Sequence, residues 1–285
     1  MFSPEGPTLR ELAVQALSSV ERGYDLLAPK FDHTSFRTPD SVLRAVAAEL
    51  RRDGPYEDGL DLCCGTGAGV GALAGVCRRS VTGVDFSAGM LDVARRRVRA
   101  GGPRHADGRP DAPVPGSGTG ASVPRATRAP APAPRLAWVR ADARALPFGR
   151  DAFDLVVSFG AFGHFLPREL PGLFAGVHAA LRPGGCFAFP LVAPPRPLSA
   201  AYWMLLGFDV VMRVRNALWR PPFVMYYRTF RLADVTSELE RAGFLVELRA
   251  LDEFGRRRDG SPRVRAVLAR RPAAGAQPAA GTVNS

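Results

Sequence analysis

Lysine is nearly missing from this chain: of 38 Lys and Arg residues among 285, only Lys30 is a lysine. The net charge of +11 is therefore almost all arginine, set in a composition also rich in Ala, Gly and Pro. That bias reads as the mark of a GC-rich coding sequence, and the arginines are dispersed. One concentration, Arg95 to Arg99, falls at an expected helix end, where cations meet the negative pole of the dipole. A nucleic-acid partner is accordingly disfavoured. Cysteine is sparse, and Cys63, Cys64, Cys77 and Cys186 have no metal-site spacing. They read as small buried hydrophobes in a reducing compartment. No long apolar run is free of charge: the best candidate, Leu198 to Trp219, is interrupted by Asp209, Arg213 and Arg215, which argues against a membrane span. The N-terminus, Met1-Phe-Ser-Pro-Glu-Gly-Pro, has no apolar stretch behind it, so no secretory signal and a cytoplasmic location are expected. A Gly-x-Ser-x-Gly elbow is missing too, which disfavours a Ser-His-Asp hydrolase.

What the chain does have is Asp61-Leu-Cys-Cys-Gly65-Thr-Gly67-Ala-Gly69, entered by a short apolar run and left by an alanine-rich stretch. A second run, Ser80 to Val84, ends in Asp85. This pattern predicts a strand, a tight turn, a helix and a second strand presenting a carboxylate. The glycines let backbone approach a nucleotide-like ligand, and the carboxylate can accept hydrogen bonds from ribose hydroxyls. Two kinds of cofactor suit that geometry. Dinucleotides usually accompany G-x-G-x-x-G, whereas the glycines here fall at 65, 67, 69 and 71. S-adenosylmethionine is read through two carboxylates, and a second one follows the third expected strand as Asp142, in Val139-Arg-Ala-Asp142-Ala143.

Apolar and turn-forming segments alternate at about 59–64, 68–78, 80–85, 88–100, 135–140, 153–159, 168–181 and 185–192, with a further helix over 233–242. Such alternation specifies an α/β fold with a doubly wound, mainly parallel sheet. We expect an N-terminal helical cap over 1–55 and a main domain over 56–270, followed by a disordered tail over 271–285. Residues 101–134, almost wholly small, Pro and Arg, are expected to be a disordered insertion. A second insertion, 194–228, is apolar and aromatic. It could be a substrate lid, a helical hairpin packed on the core, or an interfacial membrane contact.

The ordered motifs resemble those of class I S-adenosylmethionine-dependent methyltransferases, in the small-molecule branch that includes quinone-biosynthesis enzymes. The likeness rests on Asp61-x-x-x-Gly65-x-Gly67, on Val84-Asp85-Phe86-Ser87-x-x-Met90-Leu91, on Asp142-Ala-x-x-Leu-Pro-Phe148 with Phe153-Asp154-Leu-Val-Val-Ser158, and on Leu181-Arg-Pro-Gly-Gly185. It runs from about Tyr24 to Pro190. One position departs: the family's usual glycine two residues after the first acidic residue is Cys63.

The resemblance implies a Rossmann-like, seven-stranded sheet and S-adenosylmethionine as cofactor. Asp61, Gly65 and Gly67 would hold its amino-acid portion, and Asp85 its ribose. Phe86 and Met90 would pack near adenine, Asp142 would take the exocyclic amine, and the Ala143 backbone a ring nitrogen. The acceptor would be small and partly hydrophobic; because no Cys, His and acidic residues fall at metal-ligand spacing, metal-independent transfer is expected. His164, just past the fourth expected strand, is the best-placed candidate base, with His33 and Tyr24 behind it, while His105 and His178 read as bystanders. A nicotinamide-dependent oxidoreductase and a non-catalytic cofactor-binding scaffold are the competing readings.

Overall fold

The computed structural model describes residues 6–8, 10–11, 14, 18, 20–34, 37–100, 132–160, 162, 165–193, 198–199, 202–203, 206–207, 210, 214, 218, 230–273 and 275. Seven strands form one sheet: β1 (Tyr56–Leu62), β2 (Cys77–Asp85), β3 (Arg135–Arg140), β4 (Phe153–Val157), β5 (Leu181–Val192), β6 (Leu245–Ala250) and β7 (Val264–Arg270). Their order is β3-β2-β1-β4-β5-β7-β6. The first five pair in parallel, and β7 is antiparallel to both β5 and β6. The expected doubly wound, mainly parallel sheet is what the chain forms. The strand order reverses between β1 and β4, so the crevice beyond their carboxyl ends is the ligand position such sheets favour.

The period of two along the strands sorts side chains into two cores. Leu60, Leu62, Val156, Phe187 and Phe189 face one side with helices α5 (Leu170–Ala180) and α6 (Leu232–Arg241). Val81, Leu155, Val157, Cys186 and Ala188 face the other. There they meet α2 (Asp40–Asp53), α3 (Ala68–Leu73) and Leu91 of α4 (Ala88–Arg99). Phe174, Phe187 and Phe189 are fully buried, each side chain contributing about 2–3 kcal/mol of apolar transfer. Cys64, Cys77 and Cys186 are buried and unpaired, and Cys63 is half-buried and unpaired.

Several boundaries differ from the sequence expectation. β1 begins at Tyr56 because Asp154, at the start of β4, accepts the backbone N–H groups of Glu57 and Asp58 at 2.7 and 2.8 Å. The expected 68–78 helix stops at Leu73, and Cys77 already pairs with Tyr56. Of the 101–134 insertion, only 132–134 lie among the described residues. Helix α2 packs within the core layer through Val46 and Leu50. The part of the N-terminal region that reaches the carboxyl edge is α1 (Val20–Leu27) and the 3-10 turn after it (Ala28–His33).

Candidate functional site

Three strand tips converge at the carboxyl edge. β1 leads through Asp61 and Leu62 into the turn Cys63 to Gly67, and α3 starts at Ala68. Cys63, Gly65 and Gly67 all adopt the left-handed region, with φ of 58°, 51° and 83°. For Cys63 that conformation costs about 1–2 kcal/mol relative to glycine, so the turn demands glycine geometry even where the side chain differs. Gly67 is constrained twice, since an added Cβ would lie 2.9 Å from Trp138 and 3.0 Å from Ala94. At Gly69 an added Cβ would sit 2.4 Å from the Asp61 carboxylate and 2.6 Å from Phe159.

Asp61 is 1% exposed, and neither carboxylate oxygen receives a hydrogen bond of normal geometry. Burial, then the charge of Asp85, pushes its pKa well above the usual range, while the Val70 N–H nearby offsets this in part. A buried, unbonded carboxylate is costly to maintain, and a cation placed against it would relieve that cost. Asp85, at the tip of β2, is tied instead. It accepts the Gly65 N–H at 2.9 Å and the Ser87 N–H at 3.0 Å. Burial still dominates and lifts its pKa to about 6.

β2 and β3 are adjacent and parallel, with Asp85 opposite Arg140, and the Ala141 N–H donates to the Asp85 carbonyl at 3.0 Å. Asp85 and Asp142 therefore leave neighbouring strand tips on one edge. Asp142 has a competitor: the Arg144 guanidinium donates to Oδ1 at 3.0 Å and to Oδ2 at 2.6 Å, and holds its pKa below the usual carboxylate range. Arg144 also pairs with Glu169 at 2.9 Å. Ala143 is buried, Met90 is 1% exposed within the core beside Ser87, and Phe86 is half-buried with Tyr24 edge-on at 5.7 Å. Burial first, then Asp85 and Cys63, raises the Tyr24 phenol, so it stays protonated at neutral pH. His164 and His105 lie outside the described residues. Phe162 and Phe165, which bracket His164 in sequence, are buried. His178 packs its ring on Phe244 at 4.9 Å, in keeping with a bystander. Among the described residues, no three His, Cys, Asp or Glu side chains converge as metal ligands.

Two carboxylates that motif reading passed over fasten the N-terminal segment to this edge. Asp25 accepts the Ser87 hydroxyl at 2.6 Å and the Gly89 N–H at 2.8 Å, adding to the Ser87 cap of α4. A Cβ on Gly89 would meet the Asp25 backbone at 2.9 Å, so glycine permits the close approach. Asp32 accepts the Thr66 hydroxyl at 2.7 Å and pairs with Arg97, which also donates to the Thr66 carbonyl at 3.2 Å. Glu21 pairs with Arg140. The only local signal for Asp25 and Asp32 is their position in the aromatic-acidic run Tyr24 to Asp32.

Comparison with known proteins follows the same lines. The family described as "Methyltransferase domain" matches residues 60–109 and 118–185. A methyltransferase of Synechocystis, itself uncharacterized, is 33% identical over 192 residues, 67% of this chain and 68% of its own length. A demethylmenaquinone methyltransferase of Clavibacter sepedonicus is 33% identical over 156 residues, 54% of this chain and 47% of that protein. Among solved structures, an O-methyltransferase assignment from Nostoc punctiforme superposes with a TM-score of 0.57 at 17% identity, covering 92% of this chain and 67% of that one, a likeness of fold alone.

Proposed function

The chain belongs to the class I S-adenosylmethionine-dependent methyltransferases, and on that premise we propose that it methylates a small, partly hydrophobic, quinone-like acceptor by direct in-line transfer without a metal ion. The nicotinamide alternative falls with this membership. When bound, the cofactor supplies a methyl group on a sulfonium, a leaving group already activated. What remains for the protein is to orient two reactants and keep the crevice dry.

The observation that carries the residue assignment is Asp61, a buried carboxylate with no hydrogen bond of normal geometry, set beside a turn of left-handed residues. It suits the cationic amino-acid end of the cofactor, with the glycine turn giving close backbone approach. Asp85 accepts from the ribose hydroxyls through the lone pairs that Gly65 and Ser87 leave open. Phe86 and Met90 wall the adenine, the Ala143 backbone meets a ring nitrogen, and Asp142 takes the exocyclic amine once Arg144 shifts its hydrogen bonds to Glu169. Tyr24, protonated at neutral pH, serves as a hydroxyl donor over the crevice and not as a base. His164 is the proposed base for an acceptor hydroxyl or ring proton.

For the acceptor, support comes from the demethylmenaquinone methyltransferase relative and from the apolar insertion 194–228, which we assign as the substrate lid. Within 56–270, the methyl-transfer domain, that insertion follows β5 at the carboxyl edge, where acceptor and cofactor must meet. Titration calorimetry with S-adenosylhomocysteine on the wild type and Asp85→Ala tests the cofactor assignment. Binding by the wild type with at least about a tenfold loss in the variant is expected, since two charge-assisted hydrogen bonds go. Equal affinity in both would refute the assignment.

A further inference from the structure

Among the described residues, the buried side-chain atoms without a hydrogen bond of normal geometry are the Tyr56 hydroxyl, both oxygens of Asp61 and the Nε of Arg37. Tyr56 begins β1, at the far end of that strand from the crevice. Asp61 and Arg37 are opposite in charge, and a chain of contacts sets them around the same crevice. Arg37 lies between the 3-10 turn ending at His33 and helix α2, which starts at Asp40. Its Nε is 3.4 Å from Asp32 Oδ1, and that oxygen accepts the hydroxyl of Thr66, at the crest of the glycine turn, at 2.7 Å. One residue further on, Thr38 Oγ1 is 2.8 Å from where a Cβ on Gly160 would lie, just beyond β4. Phe159, next to Gly160, closes on Gly69 together with the Asp61 carboxylate, at 2.6 and 2.4 Å from the site of its missing Cβ. Residues 37 and 38 therefore reach from the turn after β1 to the loop after β4, where the strand order reverses.

The neighbouring carboxylates hold Arg37 without using it up. Asp32 is already engaged, with the Thr66 hydroxyl on Oδ1 and Arg97 on Oδ2. Asp40 takes the Nη2 group of Arg37. Asp32 and Asp40 balance Arg37 and Arg97 charge for charge, so the guanidinium stays in place while its Nε N–H lacks a well-aligned acceptor. A buried donor left in that state costs about 1–3 kcal/mol, which an acceptor brought by a ligand would recover. The side chain is 22% exposed, so a ligand in the crevice can reach it. Asp61 thus offers an anion that receives no well-formed hydrogen bond, and Arg37 a cation with a donor to spare. Together they complement a zwitterion, and a free α-amino acid group is one: its ammonium suits the carboxylate and its carboxylate the guanidinium.

We propose that Arg37 binds the carboxylate of the cofactor's amino-acid end, across from Asp61 on its ammonium. The assignment rests on the methyltransferase reading of the crevice and adds its anion-binding half, which comes from the N-terminal strap and not from the glycine turn. Titration calorimetry with two ligands tests it: S-adenosylhomocysteine, and its decarboxylated analogue, which keeps adenosine, sulfur and ammonium and lacks only the carboxylate. Wild-type protein should prefer S-adenosylhomocysteine by about tenfold or more, a comparison that needs no variant. Arg37→Gln should bind S-adenosylhomocysteine about tenfold more weakly and the analogue within about twofold of wild type, so the preference disappears. Arg37→Lys, which keeps the charge and loses the planar fork, should retain part of the preference. A role confined to holding the strap would weaken both ligands alike, and that result would overturn the proposal. Equal affinity of wild type for the two ligands, or an unaltered preference in Arg37→Gln, would do the same while leaving the methyltransferase reading intact. Failure of wild type to bind either ligand would remove that reading and the proposal with it.

Discussion

Asp85 holds its proton up to about pH 6, whereas in the unfolded chain the same group releases it near 3.8. The folded, empty protein therefore binds the extra proton between those values, and its stability falls as pH rises through that window, by roughly 2–3 kcal/mol. Asp61 acts in the same direction. Hydroxyl donors on Asp85 and a cation on Asp61 favour the ionised forms, so cofactor binding must tighten with rising pH and release protons. We expect affinity for S-adenosylhomocysteine to be about tenfold higher near pH 7.5 than near pH 5, measured by calorimetry in two buffers of different ionisation enthalpy. A flat profile with no proton release would sink the assignment of both carboxylates. Gly69→Ala is the matching steric test. Its methyl group would push the Asp61 carboxylate aside, and binding should fall by about tenfold or more while melting drops by no more than about 2 kcal/mol of stability. The sequence made Asp61, Gly65, Gly67, Asp85 and Asp142 legible because each sits at a strand tip bounded by turn residues. It did not show that Arg144 chelates Asp142, since a pairing two residues apart in a loop leaves no periodic trace.

At the scale of elements, the strap formed by α1 and the 3-10 turn is held by single carboxylates reaching across long stretches of chain. Asp32 to Thr66 and Asp25 to Ser87 are contacts between segments 34 and 62 residues apart. Local pattern marks each partner as a polar loop residue and cannot pair them. The same reason hid the early start of β1, which depends on Asp154 of another strand. Alternation of strand and helix, by contrast, is written in local periodicity, and the sheet followed it. Asp32→Ala should free the Thr66 crest of the glycine turn and leave Arg97 without its anion. We expect the KM for S-adenosylmethionine to rise about fivefold to tenfold with kcat changed less than about twofold, and Asp32→Glu to restore much of the loss. Hydrogen exchange at residues 64–68 should accelerate in the alanine variant only. An unchanged KM with unchanged exchange would show that the strap is mere packing.

For the whole molecule, many of the described arginines are paired with carboxylates within the fold. At the amino ends of the strands, the buried Asp58 accepts from Arg79 at 2.8 Å, from Ser80 at 2.7 Å and from Arg182 at 2.8 Å. Hydrogen bonds from Arg79, then Ser80 and Arg182, hold its pKa well below the carboxylate range against the opposing effect of burial. Arg249 bonds Glu247 and Asp53, and Arg270 joins it on Asp53. The contribution of Asp58 is present above its unfolded pKa near 4 and is lost as pH falls below it, opposite in sign to that of Asp85. Asp58→Ala should cost about 1–3 kcal/mol at neutral pH, the lower part of the range reflecting the solvent screening of the half-exposed Arg79. Chemical denaturation at pH 7 and at pH 3 checks it, and the gap between variant and wild type should shrink at the lower pH.

The placing of β7 between β5 and β6 has a bearing on how the chain is made. All five parallel strands are complete once Val192 has been synthesised, yet β5 keeps an open edge until the strand at Val264–Arg270 arrives and slots in antiparallel. β6 emerges earlier and, among the described residues, has no sheet partner but that late strand. A nascent chain halted anywhere before Val264 would thus expose an unpaired hydrogen-bonding border on a nearly finished sheet, and the ribosome must deliver its last strand before that border finds a stranger.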